Sequence, residues 1–130
     1  MLKGSTGNDT YKIDSTNDSV VETTGAGSDT VLSSVSYLLA ANVENMILAA
    51  NAGNINATGN TLNNLLSGNE GDNILNGGMG ADTLSGGEGG ADMLTGGGGS
   101  DVFRLAGGTG TVTDFQSETD CICITQCSSF

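Results

Sequence analysis

A large apolar residue recurs about every nine positions through the middle of the chain, with polar residues and glycines on both sides. A nine-residue period with one apolar position fits no amphipathic helix. It predicts short strands that each bury their middle residue and are separated by turns. Two such units complete one turn of a parallel coil, so residues two units apart stack about 4.8 Å from each other. The apolar series is Leu48, Ala57, Leu66, Leu75, Leu84, Leu94 and Phe103.

Five units between Gly59 and Arg104 carry the pattern most clearly: GNTLNNLLS, GNEGDNILN, GGMGADTLS, GGEGGADMLT and GGGGSDVFR. Glycine at the first, second and fourth places permits the positive φ of a tight turn and leaves the turn carbonyls unobstructed. The fourth unit contains one extra glycine. The sixth place holds an amide or carboxylate that points a hard oxygen inward, at Asn64, Asn73, Asp82, Asp92 and Asp101.

The pattern continues upstream in weaker form. Ala41–Thr58 keeps the apolar phase but has lost the glycines, and Gly4–Lys12 (GSTGNDTYK) is another good copy. Gly25–Leu32 is a partial copy whose stacking partner is not evident from the spacing. Ser36–Ala50 is compatible with a short helical cap or with degenerate strands, and the nine-residue phase favours strands.

Two segments after Arg104 alternate between apolar and polar residues, as half-buried strands do: Thr111–Phe115 and Cys121–Ile124. We predict that they close the open end of the coil. The chain then divides into degenerate solenoid turns at 1–58, nonapeptide repeats at 59–104, and a cap and tail at 105–130.

Composition indicates that something other than a large core stabilises this fold. The 130 residues include 22 glycines and no tryptophan, and 15 acidic residues face three basic ones for a net charge of −12. Such a charge repels nucleic acid and anionic membranes. No apolar run is long enough to span a bilayer. Met1-Leu2-Lys3-Gly4 is no signal peptide, so the chain is either part of a longer protein or exported by another route.

The stacked acidic turns predict a calcium site. Carboxylates about 4.8 Å apart repel by on the order of 1 kcal/mol per pair in water, and more when partly buried. A divalent ion between the two carboxylates turns this net repulsion into attraction. Calcium accepts carbonyl and carboxylate oxygens in loose geometry, whereas magnesium demands a tight octahedron. Zinc would find no histidine. The alternative is that the aspartates are only local turn formers, which a tandem set in register disfavours.

Repeats two apart are expected to share an ion. Asp82 and Asp101 then form the tighter site, because both are carboxylates. Asn73 and Asp92 form a second site, which the inserted glycine could distort, and Asn64 with Asp82 forms a weaker one. We therefore expect two or three well-formed sites.

From Gly59 to Phe115 the chain resembles the repeats-in-toxin (RTX), or hemolysin-type calcium-binding, modules of secreted bacterial proteins, whose nonapeptide signature is established. Asp9–Asn76 is similar to the spacers between such repeats. Asp101–Phe115 followed by Asp120 is similar to the strand pair after the last repeat. The resemblance implies an all-β, right-handed parallel β-roll (a β-solenoid) with Ca²⁺ in its glycine-rich turns and C-terminal capping strands. It also implies that the module is disordered without calcium, leaves the cell unfolded through the type I secretion machinery, and folds outside the cell or at its surface.

The resemblance also implies which residues hold the metal. The ligands would be the sixth-place side chains and the glycine carbonyls of their turns, namely Asp82, Asp101, Asp92, Asn73, Gly77, Gly78, Gly80, Gly86, Gly87, Gly96, Gly97, Gly68 and Asp9.

The cysteines depart from the family pattern. Members usually carry an acidic, lysine-containing strand where this chain has Cys121-Ile122-Cys123. Two cysteines on one face of a strand are poorly placed to bridge each other. Either one could pair with Cys127, leaving an odd thiol to cross-link two chains.

Three functions remain in competition. The first is a calcium-dependent folding and secretion module without chemistry of its own. The second is a structural repeat of an extracellular adhesin or surface-layer protein, which the return of Asp9-Thr10-Tyr11 as Asp101-Val102-Phe103 favours if the chain is one unit of a stacked tandem array. The third, an autonomous enzyme, is disfavoured because there is no histidine for a Ser-His-Asp or Cys-His arrangement.

Overall fold

The chain folds into a parallel β-solenoid of about six turns, as seen in a computed structural model that describes residues 1–124. Among these residues there is no helix, and hence none that could cross a membrane. The strands are short because each one ends at a turn. In chain order they are β1 (Leu2–Lys3), β2 (Thr10–Ile13), β3 (Val20–Val21), β4 (Thr30–Ser33), β5 (Tyr37–Leu38), β6 (Asn45–Leu48), β7 (Ala57–Thr58), β8 (Leu65–Ser67), β9 (Ile74–Met79), β10 (Thr83–Ser85), β11 (Ala91–Gly98), β12 (Val102–Leu105), β13 (Thr109–Val112) and β14 (Cys121–Ile124).

Successive strands alternate between two sheets. The even-numbered strands from β2 to β14 form a seven-stranded sheet in chain order, and the odd-numbered strands from β5 to β13 form a five-stranded sheet. β1 and β3 form a separate pair. Every pairing is parallel, so each strand lies beside the strand one full coil away. The predicted parallel β-solenoid is confirmed.

The apolar series forms the core between the sheets. Leu66, Leu84 and Phe103 are paired in register on β8, β10 and β12, and Leu75 pairs with Leu94 on β9 and β11. These five side chains are all 0% exposed. Burying each one stabilises the fold by about 1.5–3 kcal/mol. The core is therefore two facing rows of single side chains, which explains why so few large residues suffice.

Strands also form at both ends of the repeat region. The segment Ser36–Ala50 contains β5 and β6, so the strand interpretation is confirmed over the helical one. β13 and β14 lie at the ends of their sheets and cap the coil. β13 begins at Thr109 and ends at Val112, whereas the sequence predicted a strand over Thr111–Phe115. The chain leaves the sheet there because the Asp114 side chain turns back onto the backbone of Gly96 and Gly97.

The thiols of Cys121 and Cys123 are not bonded to each other. The predicted pairing of either with Cys127 lies outside the described residues.

Candidate metal centre

Three of the sixth-place side chains, Asn64, Asp82 and Asp101, form a continuous ladder along one corner of the coil. Each of the three lies directly before an even-numbered strand, so successive members stack one per turn. The backbone N–H of Asn64 donates to Oδ1 of Asp82 at 2.7 Å, and that of Asp82 donates to Oδ1 of Asp101 at 2.9 Å. The N–H of Asp101 donates in turn to Oδ1 of Asp120 at 3.0 Å. The structure thus brings together the predicted pairs Asn64–Asp82 and Asp82–Asp101.

The opposite corner holds the second predicted pair. The N–H of Asn73 donates to Oδ1 of Asp92 at 2.9 Å, the same distance as between Asp82 and Asp101. The extra glycine of this repeat is absorbed in the turn, where Gly90 has φ of 72°. The insertion therefore does not displace Asp92 from its register.

The second carboxylate oxygens of Asp82 and Asp101 have no donor among residues 1–124. Asp82 and Asp101 are each 1% exposed, and Oδ2 of both is buried without a hydrogen-bond partner in the described part of the chain. An ionised oxygen in that position is costly unless a cation neutralises it.

Glycine leaves the space that these oxygens face. A Cβ built on Gly77 would collide with Oδ2 of Asp82 and with the carbonyl oxygen of Gly96 in the next turn. Gly86 stands in the same relation to Oδ2 of Asp92. A carboxylate oxygen and a turn carbonyl therefore converge on a gap without side chains. Clustered hard oxygens are the donor set that calcium prefers, so these residues fit the ion.

The remaining predicted glycines lie at similar contacts between turns. A Cβ on Gly97 would overlap the carbonyl oxygen of Gly78, and one on Gly87 would overlap the backbone of Asn69. A Cβ on Gly68 would overlap the carbonyl oxygen of Gly86. The carbonyl oxygen of Gly80 faces Gly99 in the same way. The turns are too close for side chains, which leaves their carbonyl oxygens as the accessible groups.

Burial makes the three aspartates reluctant to ionise without a cation. It raises the pKa of Asp82 to about 6, the nearby Asp101 carboxylate adds to the rise, and the hydrogen bond from Asn64 opposes it. Burial likewise raises the pKa of Asp92 and of Asp101. The surrounding protein therefore does not fully stabilise the ionised carboxylates, and a bound divalent ion would favour the ionised over the protonated form.

Comparison with known families agrees with this geometry. Residues 58–90 and 87–112 match the RTX calcium-binding nonapeptide repeat, a model of four copies. The chain contains RTX calcium-binding repeats. No curated protein matches the chain significantly. We refer to residues 58–112 as the RTX segment; it includes Asp82, Asp92 and Asp101, and it excludes Asp9.

The first RTX turns contain amide clamps, which sequence reasoning missed. Nδ2 of Asn60 donates to the carbonyl oxygens of Ala40 and Val43, both at 2.8 Å. Nδ2 of Asn69 donates to those of Ala49 and Gly53 at 2.9 and 3.1 Å. In each case one NH₂ group holds two carbonyls of the preceding turn. The only signal in the sequence is asparagine in place of glycine at the second position of these two repeats.

The amide of Asn73 is also fully engaged. Its Oδ1 accepts the N–H of Asn69 at 2.8 Å, and its Nδ2 donates to the carbonyl oxygen of Ile55 at 2.7 Å. An NH₂ group thus points to the preceding turn. The role of Asn73 as a calcium ligand stays a prediction, and it requires Oδ1 to serve the ion as well as the N–H of Asn69.

We expect Asn69→Ala to destabilise the folded protein by about 1–3 kcal/mol, because it removes two hydrogen bonds to carbonyls of the preceding turn, which then keep only the backbone N–H groups of Ala52 and Ile55 as donors. Urea denaturation at saturating calcium measures the change. Asn76→Ala is the matched control, since Asn76 lies exposed on β9. Equal midpoints for the two variants would show that the Asn69 amide contributes no stability.

The ladder continues upstream of the RTX segment. The N–H of Asp9 donates to Oδ1 of Asp29, and the N–H of Asp29 donates to Oε2 of Glu44, both at 2.8 Å. Asp29 is thus the stacking partner of Asp9 that the spacing did not reveal. The two steps span 20 and 15 residues, which breaks the nine-residue phase.

Two further aspartates bind the last turns. Asp114 accepts the N–H groups of Gly96 and Gly97 at 2.9 and 2.8 Å. Asp120 accepts the N–H groups of Asp101 and Gln116, and these hydrogen bonds lower its pKa. Both follow the last repeat, so repeat counting does not find them.

Proposed function

We propose that this chain is a calcium-dependent folding and secretion module of a protein that a type I machinery exports unfolded. One observation carries the proposal: across stacked RTX turns, glycine carbonyls face buried carboxylate oxygens that have no donor in the part of the chain that the structure describes. The RTX repeat is a calcium-binding β-roll rather than a catalytic fold, and we assign it no reaction. Within this proposal, residues 59–104 hold the ions, 1–58 act as a spacer and 105–130 as the cap.

The physical basis is linkage between ion binding and folding. An ion held between two turns contacts only the folded chain, because the unfolded chain brings no two turns together. It therefore stabilises the fold by RT ln(1 + [Ca²⁺]/Kd). Extracellular calcium modules have dissociation constants of about 10⁻⁴–10⁻³ M, far above cytosolic calcium. The chain would stay unfolded before export and fold on reaching external calcium.

The experiment is a calcium titration followed by far-ultraviolet circular dichroism, with magnesium as the control ion. We expect a cooperative transition from coil to β-structure near 10⁻⁴–10⁻³ M calcium, about the range of extracellular modules. Magnesium should fail to produce it. A spectrum that is already β in chelator, or indifferent to calcium, would contradict the proposal.

A second candidate function is a structural repeat in an extracellular adhesin or surface-layer protein. The seven-stranded sheet favours it, because β2 and β14 are its two edge strands and could continue into neighbouring units. Single-molecule stretching of the full-length protein would separate the two functions. A structural repeat should unfold only at high force in the presence of calcium, whereas a secretion module has no need to resist force. A catalytic domain upstream in the same protein would count against the adhesin.

The raised pKa of Asp82 predicts how pH affects calcium-driven folding. Without calcium the folded state holds its proton up to about pH 6, above the ordinary aspartate pKa near 4, so stability is greatest below about pH 4 and falls as pH rises to about 6. Calcium must displace that proton. We therefore expect the calcium midpoint to be roughly tenfold higher at about pH 5 than at about pH 7.5. A midpoint that does not change with pH would show that no buried carboxylate takes part.

A further inference from the structure

We propose a separate cation site at the upstream end of the coil, formed by Asp9, Glu22 and Asp29. One carboxylate oxygen from each of the three lies within 4.8 Å of the other two. All three lie outside residues 58–112, the RTX segment. The site goes beyond the proposed function, because it would bind an ion whether or not the RTX turns respond to calcium.

The topology explains how three distant residues meet. Asp9 directly precedes β2 and Asp29 directly precedes β4, and these strands pair in parallel, so the two aspartates stack at one corner. Glu22 directly follows β3, where the chain begins its path back to the same corner. Glu22 therefore comes from the side of the coil opposite to the aspartate ladder, an arrangement that the RTX pairs do not have.

Asp29 supplies the observation that points to a ligand. Its side chain is 0% exposed, and its Oδ1 accepts the N–H of Asp9. Its Oδ2 is buried and has no hydrogen-bond partner among the described residues. A buried acceptor without a donor, beside two other carboxylates, is costly in a protein interior unless a cation fills the gap.

The surroundings supply only neutral hydrogen-bond donors and little room: besides the Tyr11 hydroxyl, backbone N–H groups donate to each of the three carboxylates. The Tyr11 hydroxyl donates to Oε2 of Glu22, and both are buried. A Cβ on Gly4 would overlap this hydroxyl and the Glu22 carboxylate, so a glycine is needed there. Neutral donors alone do not offset the charge of three carboxylates held this close together. Since every nearby ligand is a hard oxygen, the chemistry selects calcium or a similar ion over zinc or copper.

Tyr11 also makes the site measurable. The chain has two tyrosines, Tyr11 and Tyr37, and no tryptophan, and neither tyrosine is in the RTX segment. Terbium binds hard-oxygen calcium sites and emits when an adjacent tyrosine transfers energy to it, an effect that falls steeply with distance. In Tyr37→Phe, tyrosine-sensitised emission therefore reports terbium beside Tyr11 rather than terbium in the RTX turns.

The test is a terbium titration of Tyr37→Phe, followed by displacement with calcium. We expect saturable emission that calcium quenches by competition. Adding Glu22→Gln should weaken terbium binding at this site roughly tenfold, because it removes one of three charged ligands. Adding Glu118→Gln instead, the same change at an exposed position, should leave the emission titration unchanged. Circular dichroism in excess calcium shows whether each variant is folded.

Folded Tyr37→Phe protein without sensitised emission would overturn the site, as would an unchanged titration in folded Glu22→Gln. If Glu22→Gln does not fold, Asp9→Asn takes its place, and native mass spectrometry of the parent counts the ions. Calcium-driven β-structure without sensitised emission would reject this site and leave the secretion module standing. Sensitised emission without a calcium-driven transition would support this site and reject the secretion module.

Discussion

Gly97→Ala should prevent the last RTX turns from folding on calcium, whereas Gly98→Ala should fold almost normally. Gly97 has φ of 98°, a conformation that costs an alanine about 1 kcal/mol. The new Cβ would also overlap the carbonyl oxygen of Gly78, which the pairing of β9 with β11 holds in place. Together these effects should cost on the order of 3 kcal/mol.

The neighbouring glycine is an unusually close control. A Cβ on Gly98 would meet no atom within 4 Å, and Gly98 has no positive φ. Gly98→Ala changes the same strand by the same methyl group, and its lower chain entropy should make it neutral or slightly stabilising. Calcium titration with circular dichroism and urea denaturation at saturating calcium measure both variants. Equal behaviour of the two would mean that the turns are not stacked as closely as the solenoid requires.

The sequence predicted this solenoid well where its period is constant. Leu84 and Phe103 were expected to stack, and they are paired in register with no exposure. This works because one apolar residue per strand and a fixed turn length leave a single register that buries every large side chain. The strands of the cap were predicted from alternation alone, and β13 both begins and ends earlier than predicted.

The residues around the metal centre were harder to predict because they depend on contacts across turns of unequal length. Asp29 lies 20 residues from Asp9 and 15 from Glu44, so no repeat count pairs them. Glu22 reaches the cluster from the other side of the coil. The amide of Asn69 could not be assigned from sequence either, since asparagine offers both a donor and an acceptor. Only its position against the carbonyls of Ala49 and Gly53 shows that it donates.

The amide clamps explain why the repeats differ along the chain. In the turns with Asn60 and Asn69, the side-chain NH₂ groups donate hydrogen bonds to carbonyls of the preceding turn. In the turns that begin at Gly77 and Gly96, glycine stands at the second place, and the buried Oδ2 atoms of Asp82 and Asp101 have no donors within the described residues. The coil thus contains turns closed by their own hydrogen bonds beside turns that, in our proposal, require an ion. Calcium-driven folding would then extend from the turns with Asn60 and Asn69, whose hydrogen bonds form without an ion, into the turns that bind calcium.

Asp101→Asn should produce the largest loss of calcium response, because Asp101 stacks between Asp82 and Asp120 and serves the ladder on both sides. The asparagine can keep the hydrogen bond from the N–H of Asp82 through its Oδ1. It replaces the unpartnered Oδ2 with an NH₂ group, as in the clamped turns. We expect the calcium midpoint to rise at least roughly tenfold, since a charged ligand is lost, while the calcium-free protein becomes no less stable, since a buried charge is removed.

These opposite effects distinguish an ion ligand from a structural residue. In Asp101→Asn the calcium midpoint should rise while the β-structure in chelator should not decrease, both measured by circular dichroism. Asp14→Asn removes the same charge at an exposed position and should change neither quantity beyond a small gain from reduced repulsion. If Asp101→Asn lost stability equally with and without calcium, the carboxylate would act through its hydrogen bond to Asp82 alone. If instead only the response of folding to calcium weakens in Asp101→Asn, the ion requires the charge of the Asp101 carboxylate, which is unfavourable in the folded protein without calcium.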